Sequence, residues 1–164
     1  MRRADTNKVK RRLIAFALWL VVAAIVAGLI IHFTGQTASE SNKTSKGFLR
    51  TILEFFLGEE DEDLITDWNH YVRKAAHYTL FAAFGLSLTA ALQYQDKVPR
   101  LPVSLGVGAL FAVADEVRQH FIPGRATQVK DMIIDFIGVL TGALLVTLIA
   151  YIVRKRRTKR VQTE

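Results

Sequence analysis

Cysteine is absent from all 164 residues, which rules out disulfides and thiolate metal ligation and leaves the redox compartment unmarked. Also missing are the GxSxG, P-loop, GxGxxG and HExxH patterns of many soluble catalysts and metal sites. Long stretches lack charge altogether. Half of the chain is apolar (51%) and 23% is charged, with the charges in blocks rather than scattered as in a soluble globular chain. The net charge of +7 and pI near 9.9 would suit a nucleic-acid partner, but the basic residues are in the wrong places for one. Six lie in residues 1–12 (Arg2, Arg3, Lys8, Lys10, Arg11, Arg12) and six in residues 154–164 (Arg154, Lys155, Arg156, Arg157, Lys159, Arg160). Each group abuts an apolar run, which is a membrane-topology signal and not a nucleic-acid footprint.

Four apolar runs follow one another, at 13–33, 75–94, 101–121 and 131–153. About 20 residues at 1.5 Å each cross the ~30 Å hydrocarbon core, so each run is long enough to span. The first is longer than a signal-peptide core and is followed by no clear cleavage site, so an uncleaved helix is expected. The fold class expected is all-α: one four-helix membrane domain over 13–153, between a basic arm (1–12) and a basic tail (154–164). With four spans the arm, the 95–100 loop and the tail share one side, with a net charge of +11 against −4 on the other. The positive-inside rule then puts both termini in the cytoplasm of a multi-pass cell-membrane protein. In the first outer loop the Ser/Thr-rich stretch 34–46 reads as flexible. Phe48, Leu49, Ile52, Leu53, Phe55, Phe56 and Leu57 recur near helical spacing, predicting a short amphipathic interfacial helix. An acidic turn, Glu59-Glu60-Asp61-Glu62-Asp63, follows.

This topology gathers the polar residues at one depth. Arg73, Lys74 and His77 begin the second run; Asp115, Glu116 and Gln119 end the third; Arg125 lies in the next loop; Asp131 and Asp135 begin the fourth. Asp115 and Gln119, Glu116 and His120, and Asp131 and Asp135 are i,i+4 pairs, each sharing a helix face. Ile122-Pro123-Gly124 breaks the third run. An ionised side chain near the bilayer centre costs roughly 2.5–3.5 kcal/mol on insertion scales, so charges here must be paired or wet. An ion-pair lock would need one or two pairs. Nine polar residues at one level point to a ligand site at the outer boundary.

The combination Arg73-Lys74-Ala75-Ala76-His77 with Phe81 and Gly85, Asp115-Glu116-x-x-Gln119-x-Phe121-x-Pro123-Gly124-Arg125, and Asp131-x-x-x-Asp135-x-x-Gly138 resembles the VanZ-like family of small bacterial membrane proteins. Phe33-Thr34-Gly35-Gln36 and Ser41 and Ser45 are similar to that family's stretch after its first helix. The resemblance covers roughly residues 30–145. It departs at Arg118, where the family often has His, and at Leu80 and Phe81, where it often has an acidic–aromatic pair. The family's founding member is associated with low-level resistance to teicoplanin, a lipidated glycopeptide acting outside the membrane. The resemblance therefore implies a cell-envelope location and leaves the chemistry open.

Two classes of function fit these residues. In the first, a binding protein, Arg73, Lys74 and Arg125 hold the anionic group of an amphiphile: a membrane lipid, a lipid-linked wall precursor or a lipoglycopeptide. Asp115, Glu116, Gln119, Asp131, Asp135 and His77 orient those cations or hydrogen-bond hydroxyls. In the second, a membrane-embedded enzyme acts on a lipid or prenyl-phosphate headgroup. His77 is then base or nucleophile, Asp115 or Glu116 its orienting carboxylate, and Arg125 the stabiliser of developing charge. No HxxxH or HExxH spacing marks a metal, and no cofactor is implied. The inner halves of the runs offer no continuous polar path, which disfavours a transporter.

Overall fold

The computed structural model describes residues 2–58 and 61–162. All regular structure is helical: α1 (Arg2–Thr34), α2 (Ala38–Leu57), α3 (Glu62–Leu92), α4 (Arg100–Gln119) and α5 (Val129–Gln162). Three of them, α1, α3 and α5, contain stretches long and apolar enough to cross a membrane, within Thr6–Thr34, Glu62–Leu92 and Val129–Arg156. α4 is 20 residues long but carries Arg100, Asp115, Glu116 and Arg118, so it falls short of that apolar character. Leu18, Ile25, Leu148 and Ile149 are more than half exposed, giving α1 and α5 an apolar outer surface.

The sequence signals mostly account for where helices start and stop. Thr37 and Glu40 form a capping box: the Thr37 hydroxyl accepts from the Glu40 amide and the Glu40 carboxylate accepts from the Thr37 amide. The acidic side chain is thereby held below its ordinary pKa, first by the Thr37 amide and then by its hydroxyl. That box starts α2 at Ala38, so most of the stretch expected to be flexible is helix, and α2 is twice the length of its apolar stripe. Gly58, in the left-handed region at φ 73°, ends it with its amide on Glu54 O. Asp61 then caps α3 by accepting from the Leu64 amide, and Glu62 and Asp63 favour its positive end. The expected acidic turn is therefore mostly a helix start; Glu59 and Glu60 lie outside the described residues. α3 begins about three turns before the predicted 75.

α3 is the hub. It packs most extensively on α5, then on α1, and also on α2 and α4. Glycine makes the α3–α5 approach possible. A Cβ at Gly142 would stand 2.0 Å from Ala82 O, one at Gly138 2.5 Å from Tyr78 O, and one at Gly85 2.3 Å from Val139 O. These are backbone atoms of the facing helix, so the two helices touch main chain to main chain. Phe81, Ile30, Val139, Ala23, Ala112 and Phe84 fill the core, and Phe111 stacks against Phe84 at 4.9 Å between ring centroids.

Tertiary bonds mark the two ends of the bundle. At one end Arg12 reaches Tyr94 O (2.9 Å) and Asp96 (2.6 Å), while Arg154 reaches Gln93 (3.4 Å). The start of α1, the α3–α4 loop and the end of α5 therefore lie together. The opposite end holds the C-termini of α1 and α4, the 120–128 loop and the start of α5. α2 runs back along the first turns of α3, joined by Ser45–Asn69, Lys46–Thr66 and Arg50–Glu62.

Candidate functional site

At that second end the polar residues divide into two adjoining networks. The first is centred on Asp115, 4% exposed on α4. Its Oδ1 accepts from Thr34 Oγ1 at 2.6 Å and from Arg118 at 3.0 Å, and its Oδ2 accepts from Gln119 Nε2 at 2.8 Å. Arg118 also donates to Thr34 Oγ1. Gln119 Oε1 in turn accepts from Arg125 Nη1 at 2.8 Å, and the same guanidinium donates to Gln36 O at 2.8 Å and Phe33 O at 3.4 Å. Arg125 thus stitches the 120–128 loop to the α1–α2 corner. Pro123 and Gly124 (φ 75°) shape that loop, and Pro123 O accepts from the Ala38 amide at 3.4 Å. Burial, and next the neighbouring charge of Arg73, lower the Arg125 pKa, though a guanidinium stays cationic. Every acceptor on Asp115 and Gln119 is used. An open concavity of about 450 Å³ lies alongside, lined by His32, Gly35, Gln36, Glu40, Lys43 and Thr44.

The second network is far less complete. Glu116 and Asp135 are 0% exposed. Glu116 Oε2 accepts from the Gln128 amide at 3.1 Å, but Oε1 has no partner. Asp135 presents two unpartnered oxygens; His77 Nδ1 is 3.4 Å from Oδ1, close enough to attract but not aligned for a hydrogen bond. Lys74 Nζ approaches Asp131 Oδ1 only to 3.7 Å. Among the described residues six buried side-chain polar atoms lack a partner, and five of them are here: His77 Nδ1, Glu116 Oε1, Asp131 Oδ1 and both Asp135 oxygens. Each such atom costs roughly 1–3 kcal/mol if left dry and unpaired. Arg73, half-buried one turn before His77 on α3 and close enough to Arg125 for its charge to act there, has no hydrogen bond or ion pair among the described residues. Among those residues no three His, Asp or Glu side chains converge as metal ligands.

All nine residues expected to share a site lie at this end, but their pairing differs from the expectation. The carboxylate beside His77 is Asp135, not Asp115 or Glu116, because the glycine contact brings α3 directly onto α5. Glu116 and His120, although i,i+4, part company: Glu116 is fully buried and His120 exposed. Two contributors lie outside the nine expected residues. Thr34 ends an apolar run and is 1% exposed, bound to Asp115. Arg118, the departure from the family pattern, occupies the same carboxylate from three residues further along.

These features define a helical membrane protein with a polar site at one end of its bundle. The protein-family model VanZ/LLP1 matches residues 18–150, which is most of the chain. The chain belongs to the VanZ-like family. No curated protein and no solved structure matches it.

Proposed function

We propose that this VanZ-like protein crosses the cell membrane four times with both termini in the cytoplasm, α4 being the third span, and binds the headgroup of an anionic amphiphile at its outer end. The charged flank of α4 is tolerable in a span because Asp115, Glu116 and Arg118 face the bundle or its rim. α2 lies in the outer interface: Leu49 is buried against the protein while Phe55 and Phe56, 80% and 75% exposed, present an apolar surface to the lipid boundary.

The observation that carries this reading is the coexistence of unpaired buried acceptors and an uncommitted cation. Arg73 supplies a fork for phosphate or carboxylate. Glu116, Asp131, Asp135 and His77 supply acceptors for hydroxyl or ammonium donors beside that anion. Asp115, Gln119 and Arg125 are committed to one another and to the α1–α2 corner and act as the frame. A lipid-linked wall component or a lipoglycopeptide carries both kinds of group, which connects the site to wall-active antibiotics. The enzyme reading rests on one distance, 3.4 Å between His77 Nδ1 and Asp135 Oδ1. Asp135 would orient the imidazole so that Nε2 serves as the base.

Folding and binding make opposite demands on Asp135, and that supplies the test. A buried polar group left without a hydrogen bond costs roughly 1–3 kcal/mol, so exchanging such a carboxylate for an apolar side chain relieves a penalty and breaks no bond. Asp135→Leu should therefore keep or raise the melting temperature of purified protein while abolishing retention of co-purified lipid, read by mass spectrometry, and growth on teicoplanin. Loss of abundance and melting temperature together with function would make Asp135 scaffold and sink the proposal. Unchanged lipid retention with lost turnover of a lipid phosphate would favour the enzyme.

A further inference from the structure

A second groove, with two arginines in its lining, lies at the opposite end of the bundle. There the α3–α4 loop and the last turns of α5 enclose a concavity of about 420 Å³ whose lining includes Arg100, Arg154, Thr147, Tyr151, Val98 and Leu101. We propose that this groove holds the headgroup of an anionic phospholipid in the leaflet opposite the Asp115–Asp135 site.

Arg100 is pinned in place. Its Nε donates to Leu92 O (3.1 Å) and Gln95 O (3.3 Å), and its Nη2 to Gln95 O (3.1 Å), so it caps the carbonyl end of α3. Among the described residues no hydrogen bond occupies Nη1. Arg154 is exposed and makes a single long bond, 3.4 Å to Gln93 Oε1. Two guanidiniums thus face one concavity with most of their donors open, an arrangement matched to phosphate oxygens. The acid at the rim, Asp96, is committed first to Arg12 and acts on Arg100 only through space. Asp96 is paired with Arg12 at 2.6 Å, and that bond holds its carboxyl below the usual range. α4 starts here at Arg100 behind Pro99, with no side-chain cap, so the positive end of its dipole adds to the field.

The neighbouring surface suits an acyl chain and not a free ion. Tyr151 is 60% exposed and Leu148 55%, continuing the apolar flank of α5 away from the arginines. Lys155 Nζ lies 5.8 Å above the Tyr151 ring. A tyrosine at the level of paired arginines is the pattern of a membrane interface, and basic pockets between helices on the cytoplasmic side favour acidic headgroups.

The experiment uses full-length protein in nanodiscs of phosphatidylcholine with a minor fraction of phosphatidylglycerol. Bound lipid is counted by native mass spectrometry after extraction. Wild type should retain phosphatidylglycerol over phosphatidylcholine, and R154Q and the R100Q/R154Q pair should lose that preference at least tenfold. R154Q keeps the Arg100 cap, so a folding defect in the pair does not obscure the result. The control is K10Q/R156Q, which removes two charges from the same end; Arg156 is about 200° around α5 from Arg154. Equal loss in the control would reduce the effect to diffuse attraction and overturn the site. So would the absence of a phosphatidylglycerol preference in wild type. Displacement of phosphatidylglycerol by millimolar inorganic phosphate would make this a free-phosphate site and overturn the lipid assignment.

Discussion

Replacing Gly142 by alanine puts a methyl carbon 2.0 Å from Ala82 O, 2.7 Å from Leu86 N and 2.9 Å from Ala82 C. Ordinary contact begins at 3.4 Å, so α3 and α5 must part locally by about 1.4 Å. No rotamer change can absorb this, because the atoms met are backbone. A gap of 0.5–1 Å already forfeits about a quarter to a half of each contact's attraction. Overpacking of this kind costs about 1–3 kcal/mol, while alanine gains about 1 kcal/mol of helix propensity over glycine. The net loss should be up to about 2 kcal/mol, as much as a thirty-fold shift in the folded ratio. The effect should also travel to the site. Gly138→Ala, 2.5 Å from Tyr78 O, acts beside His77 and one turn after Asp135. It should widen the 3.4 Å gap between them. The assay is thermal unfolding in detergent, with nitrogen-15 spectra of the histidines reporting the His77 environment. Gly28→Ala and Gly106→Ala meet nothing within 4 Å and should match wild type or exceed it slightly. If Gly142→Ala unfolds like Gly106→Ala, the main-chain contact of α3 and α5 is not there, and the reasoning about the site's geometry fails with it.

Arg125→Lys should destabilise even though charge is kept, because one ammonium cannot span Gln119 Oε1, Gln36 O and Phe33 O; abundance and melting temperature should fall together, and normal values for both would contradict the frame role assigned to Arg125. Single cysteines at exposed Lys43 or Thr127 should react with an impermeant thiol reagent on intact cells while one at Thr158 stays silent, and labelling at Thr158 would reverse the proposed topology.

How far the sequence could be read depended on what each signal encodes. Apolar run lengths and the break at Pro123-Gly124 located the helical hydrophobic segments and the turn near the site. The i,i+4 spacing correctly joined Asp115 to Gln119, which bond at 2.8 Å. It failed for Glu116 and His120, because spacing within one helix says nothing of how that helix is rotated against its neighbours. The approach of α3 to α5 is set by Gly85, Gly138 and Gly142, whose i,i+4 members were legible as a packing motif but not as the device that brings His77 to Asp135. The Thr37-x-x-Glu40 capping box was also present in the sequence. The Ser/Thr richness of 34–46 outweighed it, since those residues compete for backbone bonds in isolation and not when Ser41 and Ser45 are buried against α3.

The long-range bonds of α1 bear on how the chain is made. Its Thr34 hydroxyl waits for Asp115, the Phe33 and Gln36 carbonyls for Arg125, and Arg12 for Tyr94 and Asp96, partners that emerge 81 to 92 residues later. During synthesis the first helix therefore enters the bilayer held by its apolar surface alone, with no polar tether at either end. It is fastened at the Arg12 end when the α3–α4 loop arrives, and at the Thr34 end only with the last third of the chain. A ribosome-bound fragment ending before α3 would leave α1 free to drift or re-orient, and a chain truncated there would present quality-control proteases with an anchored helix and no bundle.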